Sequence, residues 1–330
     1  MARKRYHPIR MSENPVSTPV EALLHEFRQQ GRVQAGSLII TVFGDAVLPR
    51  GGRIWLGSLI RLLQPLDVNE RLVRTSVFRL VKDEWLRTEA AGRRSDYLLT
   101  ESGQRRFEAA ARQIYAADIP LWDRRWRLIL QTRDLDLRQR ELLRRALYWQ
   151  GFGELSAGCF VHPGADLVRA FDALAAEGLQ ELLPALMPLL AADPVLEQSA
   201  SAPDMVARAW DLGNLAADYE RFVGRYQPLL GDAAAAGALD PEHAFLARVL
   251  LIHDFRRLLL RDPQLPADLL PADWPGQHAR ALCRELYRRL LAPSELHLDR
   301  CLQLASGATP PVSRTLETRF LPPDPLAAGL

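Results

Sequence analysis

The sequence predicts an α+β protein that is mostly helical and has three structural regions in chain order. Residues 36–100 show three short helical patterns followed by two short strand patterns. Residues 126–176 alternate strand and helix patterns twice, which is typical of a small α+β module. The patterns between residues 204 and 291 are helical throughout. A chain of 330 residues is long enough for two or three domains with their own cores.

The first domain is predicted over residues 19–117, after a tail at residues 1–18 that we expect to be disordered. An amphipathic helix over residues 20–30 opens it. A second helix carries apolar residues from Leu56 to Leu63 and ends at Pro65, and a short turn leads to the third helix. Two strands at residues 85–91 and 95–99 follow, joined by a Gly-Arg-Arg turn. Helix, turn, helix and hairpin in this order predict a winged helix-turn-helix.

The third helix has an apolar back and a basic front. Asn69 is a good N-cap, and Val73, Val77, Leu80 and Val81 share one face. The opposite face presents Arg71, Thr75, Phe78 and Lys82, and Arg74 and Arg79 flank it. A recognition helix needs such a back to dock on its domain and such a front to reach base edges and phosphates.

The turn between the two strands places Arg93 and Arg94 at the tip of the predicted wing, where they could contact phosphate or the minor groove. Charge is also uneven along the chain: residues 1–116 hold 19 Lys and Arg against 12 Asp and Glu, whereas residues 117–330 hold 23 against 28. The attraction to phosphate therefore lies on the segment with the helix-turn-helix pattern. Alone, the helix could be a solvated surface helix and the turn a solubilising loop, but their combination predicts binding to a double-stranded DNA operator.

The second domain is predicted as a ferredoxin-like module over residues 118–200, with strands at 126–131 and 155–161 and helices at 136–150 and 166–176. Residues 179–190 are apolar but interrupted by Pro184 and Pro188, and the pattern assigns them no structure.

A helical domain follows over residues 201–304, and a proline-rich tail over residues 305–330 is expected to be flexible. The predicted helices of this domain span residues 204–212, 215–226, 243–260 and 276–291.

Several classes of function are disfavoured. Cys159, Cys283 and Cys301 are far apart and form no metal-binding spacing, and we expect no metal or cofactor. No apolar run reaches membrane-spanning length, so we expect a cytoplasmic protein without membrane contact. Phosphate-binding and nucleophile-elbow motifs are also missing. Asp134, near the end of the first central strand, has no supporting carboxylate pair there, so we predict no enzyme and keep a metal-dependent nuclease as a minor alternative.

Five stretches of the chain are distinctive: SLIITVFGDAVLPRGGRIWLGSLI, NERLVRTSVFRLVKDEWL, GRRSDYLLT, PLWDRRWRLILQ and, near the C-terminus, LLIHDFRRLLLRDPQLPADLLPADWPG. Through these stretches, most of residues 30–295 resembles the PaaX family of phenylacetic-acid catabolism repressors. It implies a homodimeric repressor with an N-terminal winged helix, a central Cas2-like ferredoxin domain and a C-terminal helical domain. It also implies an effector, phenylacetyl-CoA or a related acyl-CoA, that releases the repressor from DNA.

Two clusters are candidates for the effector site. The first comprises His253, Arg256, Arg257 and Trp274, where arginines could pair with phosphates and the indole could stack on a ring. The second comprises Trp122, Arg124, Arg125 and Trp126, at the junction of the first two domains. Each could instead be structural, as a salt-bridge network at a helix end or as interdomain packing. A different class of function also stays open, in which the winged helix docks a partner protein.

Overall fold

The computed structural model describes residues 18–31, 34–116, 121–193, 200–234, 239–313 and 316–321. The predicted disordered tail lies outside these ranges except for Thr18, whose hydroxyl caps the first helix by accepting from the Glu21 N–H. Among the helices of the described ranges, none is long and apolar enough to cross a membrane.

The first part of the chain combines helices with a three-stranded antiparallel sheet of order β1-β3-β2. Its helices are α1 (Pro19–Gln29), α2 (Ala35–Val42), α3 (Leu56–Leu63), α4 (Glu70–Lys82) and α5 (Glu101–Ile114). Its strands are β1 (Arg53–Trp55), β2 (Leu86–Ala91) and β3 (Arg94–Leu99). A π-helical turn, Phe43–Val47, extends α2.

Local sequence explains the helix and hairpin that matter most here. The side chain of Asn69 accepts from the Leu72 N–H at 2.9 Å and so caps α4. Val73 and Val77 pack into the core, as the periodicity predicts. Gly92 takes a φ of 63° at the turn between β2 and β3, a conformation that favours glycine.

The central module has the chain order β-α-β-β-α-β and a four-stranded antiparallel sheet of order β5-β6-β4-β7. Its strands are β4 (Arg125–Gln131), β5 (Gly153–Ser156), β6 (Cys159–His162) and β7 (Leu186–Ala192), and its helices are α6 (Leu137–Trp149) and α7 (Leu167–Ala176).

Two sequence predictions for this module need correction. The single strand predicted over residues 155–161 is a hairpin, β5 and β6, because Gly158 takes a φ of 77° at the turn. The apolar stretch at residues 179–190, to which the pattern assigned no structure, contains most of β7. Pro188 is compatible with this strand because β7 is an edge strand that pairs only with β4, and edge strands are where sheets accept proline.

The last part is helical, with a long pair, α11 (Pro241–Leu259) and α12 (Pro275–Cys301), packed against each other. The shorter helices are α8 (Ala202–Ala209), α9 (Leu212–Tyr226) and α10 (Leu229–Ala234). The last helix continues ten residues beyond the predicted end at 291 and passes through Pro293. The buried residues Ser294 and Leu298 lie beyond this proline, so tertiary packing outweighs the local helix-breaking tendency.

The first and last parts of the chain share one hydrophobic core, whereas the central module has its own. Leu38 and Val42 of α2 belong to the same buried cluster as Leu251 and Phe255 of α11. A separate cluster includes Ile129, Leu147, Phe160 and Leu174 of the central module. The domain boundaries predicted at 117 and 201 stay a prediction, and no sequence pattern indicated this joint core.

The segment after α12 is packed, which corrects the predicted flexible tail over its described residues, 305–313 and 316–321. The Ala305 N–H donates to Asp96 Oδ1 at 2.6 Å, and the Ser313 N–H donates to the Pro49 carbonyl at 2.7 Å. Phe320 is 2 % exposed and lies edge-on against Tyr115. Buried anchors spaced along the segment therefore hold it against the first part, despite its prolines.

Candidate nucleic-acid interface

The basic side of α4 is exposed along the whole helix. All six residues predicted to face outward are exposed: Arg71, Arg74, Thr75, Phe78, Arg79 and Lys82. Phe78 is 71 % exposed, which is unusual for a large apolar side chain and leaves it free to contact a ligand. The helix thus has a buried apolar face and an exposed face of hydrogen-bond donors.

Some of these exposed side chains already have a partner within α4, and others have none. The Arg74 guanidinium pairs with Glu70 at 2.7 Å, and the Thr75 hydroxyl donates to the Arg71 carbonyl at 2.9 Å. In the part of the chain that the structure describes, no carboxylate pairs with Arg71, Arg79 or Lys82. These three cations are therefore available to an external anion.

The β2–β3 hairpin carries Arg93 and Arg94 at its tip, both exposed. Strand β3 is anchored by the buried carboxylate of Asp96, which accepts from Arg53 Nε at 2.7 Å as well as from Ala305. The Arg94 guanidinium lies 4.5 Å from the centre of the Trp55 ring. The hairpin thus presents two cations from a fixed base.

The predicted cluster around His253 does not form an exposed ligand surface. His253 is 5 % exposed, and its Nδ1 lies 3.1 Å from the Thr41 hydroxyl. Burial, together with nearby arginines, lowers its pKa to about 3. Trp274 is buried at the start of α12, and Arg256 donates to the Ser37 hydroxyl at 2.6 Å. Only Arg257 is exposed, because the shared core covers the other side chains.

The carboxylate next to His253 is used inside the fold. Asp254 accepts from Arg225 at 2.7 Å and from the Tyr226 hydroxyl at 2.8 Å. Both partners lie on α9, so this carboxylate joins two helices.

The second predicted cluster is partly buried. Trp126 is 1 % exposed and packs edge-on against Trp122, with ring centres 5.5 Å apart. Arg124 pairs with Asp268 at 3.3 Å and so links the central module to the helical part. Arg125 is exposed. These contacts resemble packing at a junction more than an open ligand site.

A cleft of about 1040 Å³ opens beside this junction, between the central module and the helical part. Its walls include Trp149, His162 and Arg169 on one side and Trp210 and Leu260 on the other. Several lining carboxylates are already paired, such as Asp123 with Arg127 at 2.7 Å. The volume suits a large organic ligand.

The two walls of this cleft touch directly. His162 Nε2 lies 3.2 Å from the Pro263 carbonyl oxygen, and the Trp210 indole donates to the Gly151 carbonyl at 3.0 Å. Burial lowers the pKa of His162 to about 4, so the ring is neutral near pH 7. A ligand between the walls would act on these contacts.

A buried ionic cluster lies where the first and last parts meet, and no sequence pattern indicated it. Asp45, on the π-helical turn, accepts from Arg248 at 2.7 Å, from Arg319 at 2.8 Å and from the Tyr115 hydroxyl at 2.6 Å. Arg248 also pairs with Glu295 at 2.6 Å. Single charged residues hundreds of positions apart carry no local signal, so a sequence pattern could not have found this cluster.

The electrostatics of Asp45 favour its charged form. Burial alone would raise its pKa, but the guanidinium groups of Arg248 and Arg319, with two tyrosine hydroxyls, outweigh burial and hold the pKa below its usual range. Asp45 is therefore a carboxylate whose charge is balanced inside the core.

A metal site receives no support in the described residues. Among them, no group of three or more His, Cys, Asp or Glu side chains could hold a metal ion. Asp134, the residue on which the nuclease alternative depends, is exposed.

Comparison with protein families covers most of the chain in three pieces. Residues 34–103 match the profile described as PaaX-like protein, residues 120–185 match the PaaX protein central Cas2-like domain, and residues 210–300 match the PaaX-like protein C-terminal domain.

Two individual proteins are also similar. The chain is 40 % identical over 265 residues to the transcriptional repressor PaaX of Escherichia coli K12, an alignment that spans 80 % of this chain and 82 % of that protein. Among solved structures, an uncharacterized protein from Mycobacterium tuberculosis is 27 % identical, with a TM-score of 0.46, and the match covers 73 % of this chain and 89 % of that one.

Proposed function

Because this chain belongs to the PaaX family, we propose that it is a DNA-binding transcriptional repressor of phenylacetate catabolic genes. The exposed basic face of α4 carries this proposal, since a helix with such a front and an apolar back suits the major groove. The named relative is a regulator and not an enzyme, in agreement with the sequence prediction.

In this proposal, α3 and α4 form a helix-turn-helix and the β2–β3 hairpin is its wing. Arg71 and Arg74 reach base edges, as does the Thr75 hydroxyl once it leaves the backbone carbonyl of Arg71. Arg79, Lys82 and the two arginines of the wing contact phosphates, which sets affinity and position. Phe78 contacts a thymine methyl group in the same groove.

The repressor acts as a homodimer on an inverted repeat. One α4 reads each half-site, so the two helices lie about 34–36 Å apart, one turn of DNA. The helical last part supplies the dimer contact, since a dimer of the first part alone would bury a small surface.

An aryl-acyl-CoA, such as phenylacetyl-CoA, releases the repressor from DNA. The cleft beside Trp122 and Trp126 is our proposed site, because its volume of about 1040 Å³ can hold a large thioester. Arg169 lies at its edge, 85 % exposed and 3.4 Å from the exposed carboxylate of Asp166, which a ligand phosphate can replace. Binding there would alter the contact of His162 with Pro263 and so reorient the central module against the helical part.

Fluorescence anisotropy tests DNA binding and its release by the effector in one experiment. Full-length protein is titrated onto labelled duplex from its own upstream region and onto random duplex. Phenylacetyl-CoA, free phenylacetate and plain CoA are then added to the complex. We expect tight binding to the upstream duplex only, reversed by the thioester alone.

The other results are informative. Specific binding that ignores all three additions would keep the repressor and discard the effector. Equal binding to random duplex would contradict the repressor proposal and favour docking of a partner protein. An Arg169→Gln variant, with the exposed Arg138→Gln as control, tests the cleft. If it needs no more thioester for release than the control, Arg169 does not take part in effector binding.

A further inference from the structure

A stack of three side chains lies beside the hairpin, and the DNA contacts proposed above use only one of them. The guanidinium carbon of Arg94 lies 4.5 Å from the centre of the Trp55 ring, and that of Arg61 lies 5.4 Å from it. Trp55 ends β1 and Arg61 lies one turn into α3. The indole thus holds two cations from separate elements, here called the Trp55 stack.

The chain makes room for this indole. A Cβ atom added to Gly57 would lie 2.5 Å from the Cη2 and Cζ2 atoms of the ring, closer than side chains approach. Glycine destabilises a helix relative to alanine, so its presence at residue 57 indicates a packing requirement. Gly57 therefore lets Trp55 lie flat against the start of α3.

Neither arginine of the stack has a carboxylate partner among the residues that the structure describes. Arg61 donates to the Ser58 hydroxyl at 3.3 Å and to the Gln303 side-chain oxygen at 3.2 Å, both neutral groups. Arg94 is exposed at the tip of the β2–β3 hairpin. Both guanidinium carbons lie within 5.4 Å of one ring centre, and an anion that pairs with both groups lowers the repulsion between these like charges.

We propose that the Trp55 stack is a phosphate clamp, in which Arg61 and Arg94 together hold one backbone phosphate of bound DNA. Trp55 is a positioning residue that holds both guanidinium groups against its ring. Nη2 of Arg61 donates to Ser58 and Gln303, and the remaining N–H groups of Arg61, together with those of Arg94, bind the phosphate. The clamp rests on the proposed DNA binding and adds a contact from α3. It contributes affinity and register without reading sequence.

Salt dependence of DNA binding measures the clamp. Each neutralised phosphate contributes about 0.9 to the slope of log K against log salt, which corresponds to about fivefold in affinity near 0.15 M salt. We expect Arg61→Gln to lower the slope by about 0.9 and to weaken binding about fivefold on upstream and random duplex alike. Arg138→Gln, an exposed arginine on α6, serves as the matched control.

Four further variants test how the clamp is built, beginning with Arg94→Gln and the double Gln variant. If Arg61 and Arg94 share one phosphate, the double Gln variant loses little more affinity than either single Gln variant. Gly57→Ala removes no side chain of the stack, yet it displaces the indole and should weaken binding by about two- to fivefold. Trp55→Phe keeps a smaller ring, so its affinity for DNA should lie between those of wild type and Gly57→Ala. Thermal melting of each variant checks that it is folded.

The outcomes separate this proposal from the function on which it rests. If wild type binds DNA but the salt dependence of binding has the same slope for Arg61→Gln as for Arg138→Gln, the clamp proposal is wrong and the repressor proposal stands. If wild type binds no DNA, both fail. If Arg61→Gln leaves the DNA slope unchanged but weakens binding of plain CoA, the stack recognises nucleotide phosphates instead, and the clamp is again wrong.

Discussion

Replacing Asp45 with asparagine should greatly destabilise the protein, although the two side chains have nearly the same shape. One carboxylate oxygen accepts from Tyr115, Tyr287 and Arg319, and the other accepts from Arg248. An asparagine amide has one acceptor oxygen, so its NH₂ group would face a donor on one side. Whichever way it turns, a buried guanidinium or hydroxyl loses its acceptor.

The magnitude follows from burial. The side chains of Asp45 and Arg248 are both 0 % exposed, and that of Arg319 is 9 % exposed. Breaking a buried ion pair by removing one charge typically costs about 3–5 kcal/mol, because the remaining charge is left in a poorly solvating core. That is a large part of the total stability of a typical protein, about 5–15 kcal/mol.

The matched control makes the same chemical change at a solvated position. Asp299 is 56 % exposed, and its partner Arg50, although buried, keeps Glu295 at 2.7 Å as a second carboxylate. Asp299→Asn therefore leaves no unpaired buried charge and should cost less than about 1 kcal/mol. Urea unfolding near pH 7, followed by circular dichroism, gives both free energies. If the two variants differ from wild type by similar amounts, the buried cluster does not stabilise the fold as argued.

A pH series provides a second test of Asp45. The pKa of this carboxyl is lower in the folded protein than its ordinary value of 3.8, so the unfolded chain takes up a proton first on acidification. The stabilisation is fully present above about pH 4 and is lost as pH falls through the folded pKa. The difference between wild type and Asp45→Asn should shrink over that window, and a constant difference would contradict this assignment.

The remaining predictions concern the DNA-binding surface and two buried histidines. Arg71→Ala should weaken operator binding by about 1–3 kcal/mol and relax preference at one base, and an equal loss on random duplex would make it a phosphate contact. Replacing Arg93 and Arg94 with alanine should weaken binding similarly on all duplexes and reduce its salt dependence, and an unchanged slope would remove the wing from the contacts. His253 and His162 have folded pKa values of about 3 and about 4, below the unfolded value of 6.5. Because the unfolded chain binds these protons first, stability should fall as pH drops from about 6.5 towards 4, and a His162→Gln variant should show a shallower fall in the same unfolding assay.

Predictions from local sequence succeeded where neighbouring residues decide the structure. The cap at Asn69, the spacing of Val73 and Val77, and the glycine at residue 92 act within a few positions of themselves. They therefore gave α4, its buried face and the β2–β3 hairpin. The exposed basic side of α4 follows from the same periodicity, since whatever is not buried on a short amphipathic helix faces solvent.

Predictions from local patterns failed where contacts with distant segments of the chain decide the structure. Pro188 interrupts an apolar run, yet its position at a sheet edge makes a strand there acceptable. His253, with charged neighbours, has the sequence of an exposed site, but α2 covers it and Thr41 takes its ring nitrogen. The prolines after residue 305 suggest a loose tail, whereas Phe320 finds a buried place against Tyr115.

The amino-acid sequence by itself determined the amphipathic helix α4 with its exposed basic side and the family to which the chain belongs, because periodicity, caps and motif words are local properties. Only the tertiary structure decided which charges are free and which are used internally. Asp45 and Arg248 are 203 residues apart and meet in the core, and Arg61 and Arg94 meet on one indole ring. The availability of a charge depends on partners that the fold brings near, and hydrophobic burial of the whole chain sets those distances.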